Sequence, residues 1–373
     1  MRRKRITRRK ALALVGGGVV LAAGGWSGWQ WYSLTRRPSR ALEPWRLAGG
    51  YDEPRMRALS YAILAPSPHN LQPWLADLRQ PGRIVILRDP ARALPETDPY
   101  GRQLTIAMGC FLELLAMALA EDGQAAETDL FPDGEDGPVA ILRLRSGGSP
   151  DPLFRHALDR RSGKEPYEER PVPPEMAAAL SAHARIVVEP EPVRSLAGLA
   201  RAAWEVEAKT PRTLKENVDL MRFGKAEIEA NPDGIAVGGP TLEALMAVGA
   251  FDRTALLDRD SATFDLMLRL QERVFWATPA FAVVITPGNT RLDQIEAGRR
   301  WLRLNLAATG LGLSLHPVSQ ALQEYRELSM HRRRAHELLA ELGEAVQMLG
   351  RLGFAPPVPP APRWPLDARL VRA

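Results

Sequence analysis

Two stretches that look like copies of one helix constrain the fold more than any other feature of this chain. Residues 106–120 and 295–309 carry apolar residues in the same helical register, and each has a glycine at its fourth position, Gly109 and Gly298. A chain that contains one structural unit twice can pack the two copies against each other. We interpret the pattern as an internal pseudo-dimer. The alternative is a coincidence, because amphipathic helices often resemble each other.

Hydrophobic periodicity predicts helices and strands on both sides of a linker at residues 145–152 (RSGGSPDP). Helices are predicted at 51–64, 103–120, 153–161, 174–184, 291–309, 319–328 and 331–342, with a mostly helical stretch at 195–272. Strands are predicted at 138–145, 185–189, 281–286, 313–316 and 346–354, with a hairpin at 74–88. We therefore divide the chain into a leader (1–40), a first half (41–150) and a second half (151–373).

The leader predicts an extracytoplasmic location. Residues 2–10 (RRKRITRRK) precede an uncharged run at 11–35, which is the pattern of an export signal. Within it, TRRKAL at 7–12 resembles the twin-arginine signal, which predicts export of the folded protein to the periplasm or the outer face of the cytoplasmic membrane. The run also exceeds the about 20 residues that span a bilayer. Membrane contact through residues 11–35 is therefore the alternative to cleavage, and a generic basic tail before a membrane helix is the alternative to the signal.

The charge distribution argues against a nucleic-acid partner. The chain has a net charge of +5, but residues 1–40 contain ten Lys and Arg and no acidic residue. The remainder contains 39 Lys and Arg against 44 Asp and Glu, a net charge of −5. A body of that sign binds polyanions poorly.

Several kinds of site are excluded by motif. The single cysteine, Cys110, rules out a disulfide framework or a Cys-rich metal site, and its apolar neighbours indicate a core residue. His331 and His336 are five residues apart and do not share a helix face, so we expect no metal site. No GxGxxG after a strand, Walker loop or GxSxG elbow occurs.

Two polar segments remain as candidate binding sites. Residues 160–164 (RRSGK) place three cations and a hydroxyl together, and guanidinium groups match phosphate oxygens. Residues 65–74 (APSPHNLQPW) form a proline-rigid loop in which the amides of Asn70 and Gln72 suit the edge of a heterocycle. The alternatives are a solvated charge run at a helix end, and a capped turn that holds Trp74 against the core. Arg363 lies in a Pro-rich stretch, where an arginine is more often simply solvated.

Taken jointly, these motifs resemble the nitroreductase flavoprotein family. The RRSGK segment is followed by RPVP at 170–173, and the APSPHNLQPW loop precedes both instead of following them. That order, with each motif present once, resembles the Acg-like branch, in which one chain supplies both protomers of the usual homodimer. The resemblance covers about residues 45–373, including 298–320, 351–354 and 362–366. It implies an α+β fold of two related halves, each with a mainly antiparallel sheet flanked by helices, and one FMN per chain between them.

The resemblance also implies which residues bind the cofactor, and it implies no catalytic side chain. The expected contacts are with the ribityl phosphate (Arg160, Ser162, Arg363 and, less directly, Arg161), flavin N1 and O2 (Lys164), the ring (Pro66, Ser67, Pro68, Asn70), the N5 region (Ser319, Gln320) and one further polar group (Gln271). The chain departs from the family pattern at Gly163, where a branched residue is usual, and at Pro68-His69, where small polar residues are usual.

The implied function is two-electron transfer through flavin N5 to a nitro, quinone-like or other conjugated small molecule. NAD(P)H is not expected outside the cytoplasm, so we hypothesise a membrane quinol or a redox protein as the electron donor. One alternative is a non-catalytic protein that stores or senses FMN in a closed site. Another is a membrane-tethered interaction protein whose site has decayed. Residues 205–265 are interpreted either as a lid over the flavin or as a peripheral helical insertion.

Overall fold

The computed structural model describes residues 39–249 and 251–371, which form helices and two four-stranded antiparallel sheets. The helices are α1 (Glu43–Leu47), α2 (Pro54–Ala62), α3 (Arg102–Glu121), α4 (Pro174–Leu180), α5 (Pro190–Lys209), α6 (Pro211–Leu220), α7 (Gly224–Ala230), α8 (Pro240–Ala247), α9 (Ala262–Trp276), α10 (Arg291–Gly310) and α11 (Ser329–Leu339). The strands are β1 (Trp74–Asp77), β2 (Arg83–Arg88), β3 (Gln124–Leu130), β4 (Ala140–Ser146), β5 (Arg185–Val187), β6 (Met221–Phe223), β7 (Ile235–Val237), β8 (Ala280–Thr286), β9 (Ser314–Pro317) and β10 (Ala345–Gly353). The predicted α+β class is confirmed.

The first half contains a sheet with the strand order β1-β2-β4-β3. The predicted hairpin is present, and its turn closes where the backbone N–H of Arg83 donates to the carbonyl of Gln80 at 3.3 Å. Strand β3 was not predicted. Its sequence, QAAETDL, is nowhere fully buried, so it lacks the apolar pattern that identifies a strand from sequence.

The second half contains a sheet with the strand order β5-β8-β10-β9. All nine residues of β10 are buried, as expected for a central strand that is covered on both faces. The C-terminal stretch then returns to the first half, where Leu370 forms a bridge to Ala76 on β1. The two halves are therefore joined by the chain end as well as by the interface between them.

Helices α3 and α10, the two apparent copies, cross at their matched glycines. A Cβ atom on Gly298 would lie 2.8 Å from the Cα atom of Gly109, and one on Gly109 would lie 3.0 Å from that of Gly298. Each added Cβ would also collide with the carbonyl of the residue three positions before the other glycine, Ile106 or Ile295. A two-fold relation produces this reciprocity. The internal pseudo-dimer is confirmed.

An insertion, defined here as residues 190–276, lies between β5 and β8 and comprises α5 to α9 and the parallel pair β6–β7. It has a buried cluster of its own, which includes Leu214, Val218, Phe223 and Phe264. The mostly helical prediction for this stretch is confirmed except at β6 and β7. Strands of three residues are too short to show a period of two.

Two predicted helices are wrong. The structure has only a 3-10 turn (Phe154–His156) in the stretch predicted as a helix at 153–161, and the arginines after it lie on irregular backbone. Short helices are marginal by themselves, so tertiary contacts decide their conformation. The stretch at 319–328 contains two 3-10 turns, Ser319–Leu322 and Arg326–Leu328, because Gln323 between them is extended.

Among the described residues, α3 is long and apolar enough to cross a membrane, yet 83% of its most apolar window is buried inside the fold. That degree of burial is what a core helix shows. The predicted twin-arginine signal and the run at 11–35 lie outside the described residues, so the expected export and membrane contact stay predictions. The domain boundary near residue 150 stays a prediction as well.

Candidate cofactor site

One large cavity of about 640 Å³ lies between the two halves and the insertion. Its volume falls within the about 300–1,000 Å³ that is usual for cofactor and ligand sites. All twelve residues that the resemblance implies line this cavity: Pro66, Ser67, Pro68, Asn70, Arg160, Arg161, Ser162, Lys164, Gln271, Ser319, Gln320 and Arg363. Segments as far apart in sequence as Pro66 and Arg363 thus meet in one place, and their role in binding stays a prediction.

The loop at residues 65–74 has an unusual backbone that its neighbours hold in place. His69, Asn70 and Gln72 have φ angles of 47°, 56° and 54°, in the left-handed region that residues other than glycine seldom adopt. The backbone N–H of Gln72 donates to Ser67 Oγ at 3.0 Å, and Asn70 Nδ2 donates to the carbonyl of Pro362 at 3.0 Å. Backbone strain of this kind concentrates at functional sites and persists where surrounding contacts impose it.

Gln72 does not line the cavity, so the idea that its amide faces a heterocycle is wrong. It is 0% exposed, and its Nε2 donates to the carbonyls of Asn70 and Pro232. Its Oε1 accepts the backbone N–H of Trp364 at 2.9 Å. A side chain with its hydrogen bonds satisfied inside the protein has nothing left for a ligand. Gln72 therefore braces the loop, as the capped-turn alternative predicted.

Arg160 and Arg363 form the cationic end of the cavity. Each is 3% exposed, and both donate to the carbonyl of Leu64, at 2.8 Å from Arg160 and 3.0 Å from Arg363. Arg363 also donates to the carbonyls of Ile63 and Ala65 at the C-terminal end of α2. The negative end of a helix dipole stabilises cations placed there. Because carbonyl groups are neutral, these hydrogen bonds do not cancel the net positive charge of the two arginines.

This positive charge is not neutralised within the described part of the chain, where neither Arg160 nor Arg363 forms a salt bridge. Burial, and then repulsion from Arg161, lowers the pKa of Arg160 to about 10. Burial and repulsion from Arg160 and Arg161 lower the pKa of Arg363. Buried charges of one sign are costly unless an opposite charge joins them. An anion bound between these arginines would supply that charge, so the residues present fit a phosphate group.

Trp45 supports the cationic end and was not predicted. Its ring lies under the guanidinium of Arg161 at 4.6 Å and near that of Arg363 at 5.5 Å, and its Nε1 donates to the carbonyl of Ala361 at 2.8 Å. An aromatic face attracts cations. No sequence signal distinguished this tryptophan from other buried aromatic residues, because its partners lie more than 100 residues away.

The glycine that departs from the family pattern has a packing reason. A Cβ atom on Gly163 would collide with Ser314 Oγ on β9, so a side chain there would require the serine hydroxyl to move. The carbonyl of Gly163 accepts the hydroxyl of Tyr167 at 3.1 Å. The backbone of the RRSGK segment thereby approaches the second sheet closely, and Ser162 and Lys164 on either side are left facing the cavity.

Lys164 lies in the cavity next to two neutral histidines, His69 and His316. Burial lowers the pKa of Lys164, although its side chain is accessible from the cavity. Burial and the charge of Lys164 lower the pKa of His69 to about 4. Burial, Arg351 and Lys164 lower that of His316 as well, and His316 Nδ1 accepts a hydrogen bond from Arg351 at 3.1 Å. Positive charge in this region is therefore held by lysine and arginine, not by imidazolium groups.

We expect the protein to lose stability as the pH falls from about 6.5 towards about 4. In that window the unfolded chain protonates His69 and His316 at their ordinary pKa, whereas the folded protein keeps them neutral, so protons favour the unfolded state. The measurement is the urea midpoint of the full chain at pH 7 and pH 5. The variant His69→Gln should show a smaller difference between the two pH values; an unchanged difference would mean that His69 titrates normally.

The C-terminal stretch that carries Arg363 is tied to both the insertion and the first half. The indole N–H of Trp364 donates to Asp233, and Arg92 and Arg222 form salt bridges with the same carboxylate, each at 2.8 Å. Burial would raise the pKa of Asp233, but the hydrogen bonds from Trp364 and Arg92 outweigh it and hold the pKa below its ordinary value. This anchored carboxylate helps to place Arg363 at the cavity.

The insertion closes one wall of the cavity. Trp204, Glu207, Asn217, Met221 and Ile235 contribute to this wall, and all five were missed in the sequence. On a helix such as α5, a glutamate among other charged residues is typical of a solvated face, so no local signal identified Glu207. Opening of residues 205–265 as a lid stays a prediction.

Comparison with known proteins gives sequence relatives. No family model matches the chain. A Mycobacterium tuberculosis (strain H37Rv) protein named "Putative NAD(P)H nitroreductase Rv3131" is 26% identical over 336 residues, which cover 83% of this chain and 88% of the relative. The M. tuberculosis protein named "Putative NAD(P)H nitroreductase acg" is 28% identical over 120 residues, 31% of this chain and 36% of that protein.

A solved structure, that of the FMN-dependent nitroreductase NfnB from Mycobacterium smegmatis in complex with NADPH, is 18% identical and covers 58% of this chain and 96% of its own. Its TM-score of 0.37 is too low for positions to be transferred between the two structures. The motifs of the chain and its similarity to curated proteins over 336 residues together confirm the resemblance to nitroreductases: the chain is a relative of the nitroreductase-type proteins, the Acg type among them.

Proposed function

We propose that this chain binds FMN in the cavity between its two halves and acts as an oxidoreductase of the nitroreductase type. The observation that carries the proposal is the cationic end of the cavity. Arg160 and Arg363 are buried there without an acidic partner in the described part of the chain, and Ser162 lies beside them. Guanidinium groups bind phosphate oxygens through paired, charge-assisted hydrogen bonds. A ribityl phosphate is the anion that this end fits.

The rest of the cavity suits a flat ring system. Apolar side chains such as Leu214, Met267 and Leu270 line it beside the amide groups of Asn70 and Gln271. Cofactor sites typically combine apolar walls with a few polar groups that fix orientation. All twelve residues implied by the motifs line this same cavity of about 640 Å³, which supports one FMN per chain.

When bound, FMN would supply two-electron transfer between a donor and an acceptor, and the chain positions and tunes it. Arg160 and Ser162 would hold the phosphate. Arg363 would add positive charge beside it, because its five N–H groups already donate to Asn70 Oδ1 and to the carbonyls of Ile63, Leu64, Ala65 and Pro362. Lys164 places a cation at the cavity, where it would favour a negatively charged reduced ring. The insertion would place apolar side chains such as Leu214, Met267 and Leu270 along one side of the cavity.

We further propose that the acceptor is a nitro, quinone-like or other conjugated small molecule. The donor is a membrane quinol or a redox protein if the predicted leader carries the body out of the cytoplasm. The names of the curated relatives include NAD(P)H, so NADPH is the donor to test against these. Rapid reduction of the bound flavin by NADPH would count against a donor at the membrane.

The test of FMN binding is the absorbance spectrum of the purified full-length chain. We expect about one flavin per chain, either retained through purification or regained when FMN is titrated into the protein. A chain that stays colourless and does not bind added FMN would overturn the proposal.

Enclosure of the cavity by the insertion also supports a second candidate, a protein that stores or senses FMN without turnover. A steady-state screen with NADPH and quinol donors, against nitro and quinone acceptors, decides between the two. Turnover with any pair supports the oxidoreductase, whereas bound flavin that none of the donors reduces supports storage.

A further inference from the structure

Glu207 is a buried acid in the cavity wall that has no role in the binding site described so far. It lies near the C-terminal end of α5, it is 4% exposed, and it lines the cavity from the insertion. Glutamate is almost never fully buried without a partner of opposite charge. No salt bridge to Glu207 is formed by a described residue, so neutralisation by a cation does not explain its burial.

The amide donors around the Glu207 carboxyl do not satisfy every oxygen in the cluster. Its Oε1 accepts Asn217 Nδ2 at 3.1 Å, and the side-chain amides of Gln320 and Gln323 lie against the carboxyl. Glu207 Oε2, Gln320 Oε1 and Gln323 Oε1 are all buried without a hydrogen-bond partner among the described residues. A buried oxygen without a donor costs about 1–3 kcal/mol. A proton on the carboxyl would provide a donor to a neighbouring oxygen and leave fewer of these groups unpaired.

The charges that face Glu207 do not favour its ionised form. Burial raises the pKa of Glu207, the amides of Gln323, Asn217 and Gln320 oppose this, and the carboxylate of Glu216 on α6 adds to the rise. Burial and Glu207 also raise the pKa of Tyr325, which follows the loop of Gln320 and Gln323. Arg212 lies over the Tyr325 ring at 5.1 Å and forms its salt bridges with Glu96 and Glu327.

We propose that Glu207 carries a proton at neutral pH and is the proton-transfer residue of the cavity. The transfer step rests on the proposed function. Two-electron reduction of a quinone-like acceptor to a quinol consumes two electrons and two protons. A two-electron donor supplies a hydride equivalent, which provides both electrons and one proton. The second proton passes from the Glu207 carboxyl to the acceptor oxygen: that O–H bond forms as the Glu207 O–H bond breaks, and solvent then reprotonates the carboxylate.

The protonation state of Glu207 is tested by infrared difference spectroscopy on the full-length protein at pH 7. This pH is well above the pKa of an ordinary glutamate, which is about 4.3. We expect the C=O stretching band of a protonated carboxylic acid in the wild type, with a shift in deuterium oxide, and its loss in Glu207→Gln. The matched control is Glu205→Gln, on the same helix, where the half-exposed carboxylate bonds to Arg201 and Lys209. That variant should keep the band.

A wild-type spectrum without such a band overturns the proposal, and this measurement needs no variant to fold. A band of unchanged intensity in Glu207→Gln overturns it as well. Because the spectrum does not depend on bound flavin, its result is separate from that of FMN binding. A chain that binds no FMN but loses the band in Glu207→Gln refutes the proposed function and supports the proton on Glu207.

Transfer itself is tested by stopped-flow oxidation of the FMN-loaded, dithionite-reduced protein with 1,4-benzoquinone. Because a positioned acid typically contributes about 10²- to 10⁴-fold, we expect Glu207→Gln to react at least about 10²-fold more slowly, with Glu205→Gln unchanged. Equal rates in Glu207→Gln and the wild type, at matched flavin content, would show that Glu207 does not transfer the proton.

Discussion

Replacement of Arg160 with alanine is expected to weaken FMN binding by about 10- to 100-fold, because a hydrogen bond to a charged group contributes about 1.5–3 kcal/mol. The guanidinium is 3% exposed at the end of the cavity where the phosphate is proposed to lie. The measurement is the dissociation constant of FMN from the full-length protein, followed by quenching of flavin fluorescence.

The flavin-free protein should not be destabilised by the same change. Leu64 keeps a hydrogen bond from Arg363 at 3.0 Å when that of Arg160 is lost, and one of several buried, mutually repelling cations is removed. Arg155→Ala, at an exposed position five residues earlier, is the matched control and should leave FMN affinity unchanged. Unchanged affinity in Arg160→Ala would remove this residue from the phosphate site. A lower urea midpoint without flavin would show a structural role instead.

Replacement of Gly298 with alanine is expected to have the largest effect on stability, with a loss of at least about 3 kcal/mol, at or beyond the upper end for overpacked cores. The added methyl would lie 2.8 Å from the Cα atom of Gly109 and would collide with the carbonyl of Ile106. Both contacts are with backbone, so no change of rotamer relieves them. The helices α3 and α10 would have to separate, and their residues that line the cavity, Cys110 and Trp301 among them, would move with them. Urea unfolding of the full chain measures the loss.

The matched control is Gly198→Ala within α5. The nearest atom to its new methyl is a ring carbon of Trp276 at 3.7 Å, an ordinary van der Waals contact. This variant should be stabilised by about 0.5–1 kcal/mol, because alanine favours the helix more than glycine does. If Gly298→Ala were as stable as the wild type, the close crossing of the two helices would be refuted.

Much of the site was predictable because its strongest signals are local. Three prolines around Asn70 predict a rigid loop. The consecutive arginines at 160 and 161 predict guanidinium groups that contact either an anion or solvent. The matched register of residues 106–120 and 295–309 similarly indicated a repeated unit, and the structure shows that its two helices cross at Gly109 and Gly298. Elements with long, regular patterns, such as α3, α10 and β8, were also predicted to within a residue or two.

The sequence by itself determined the composition of the site, that is, which residue types meet in the loop at 65–74 and the segment at 160–164. Only the tertiary structure decided which of them face a ligand. The side-chain amide of Gln72 forms hydrogen bonds with Pro232 and Trp364 and does not face the cavity. Glu207 has the sequence context of a solvated helix face, yet it is buried in the cavity wall. Backbone conformation depends mostly on nearby residues, but burial, hydrogen-bond partners and charge depend on segments that only folding brings together.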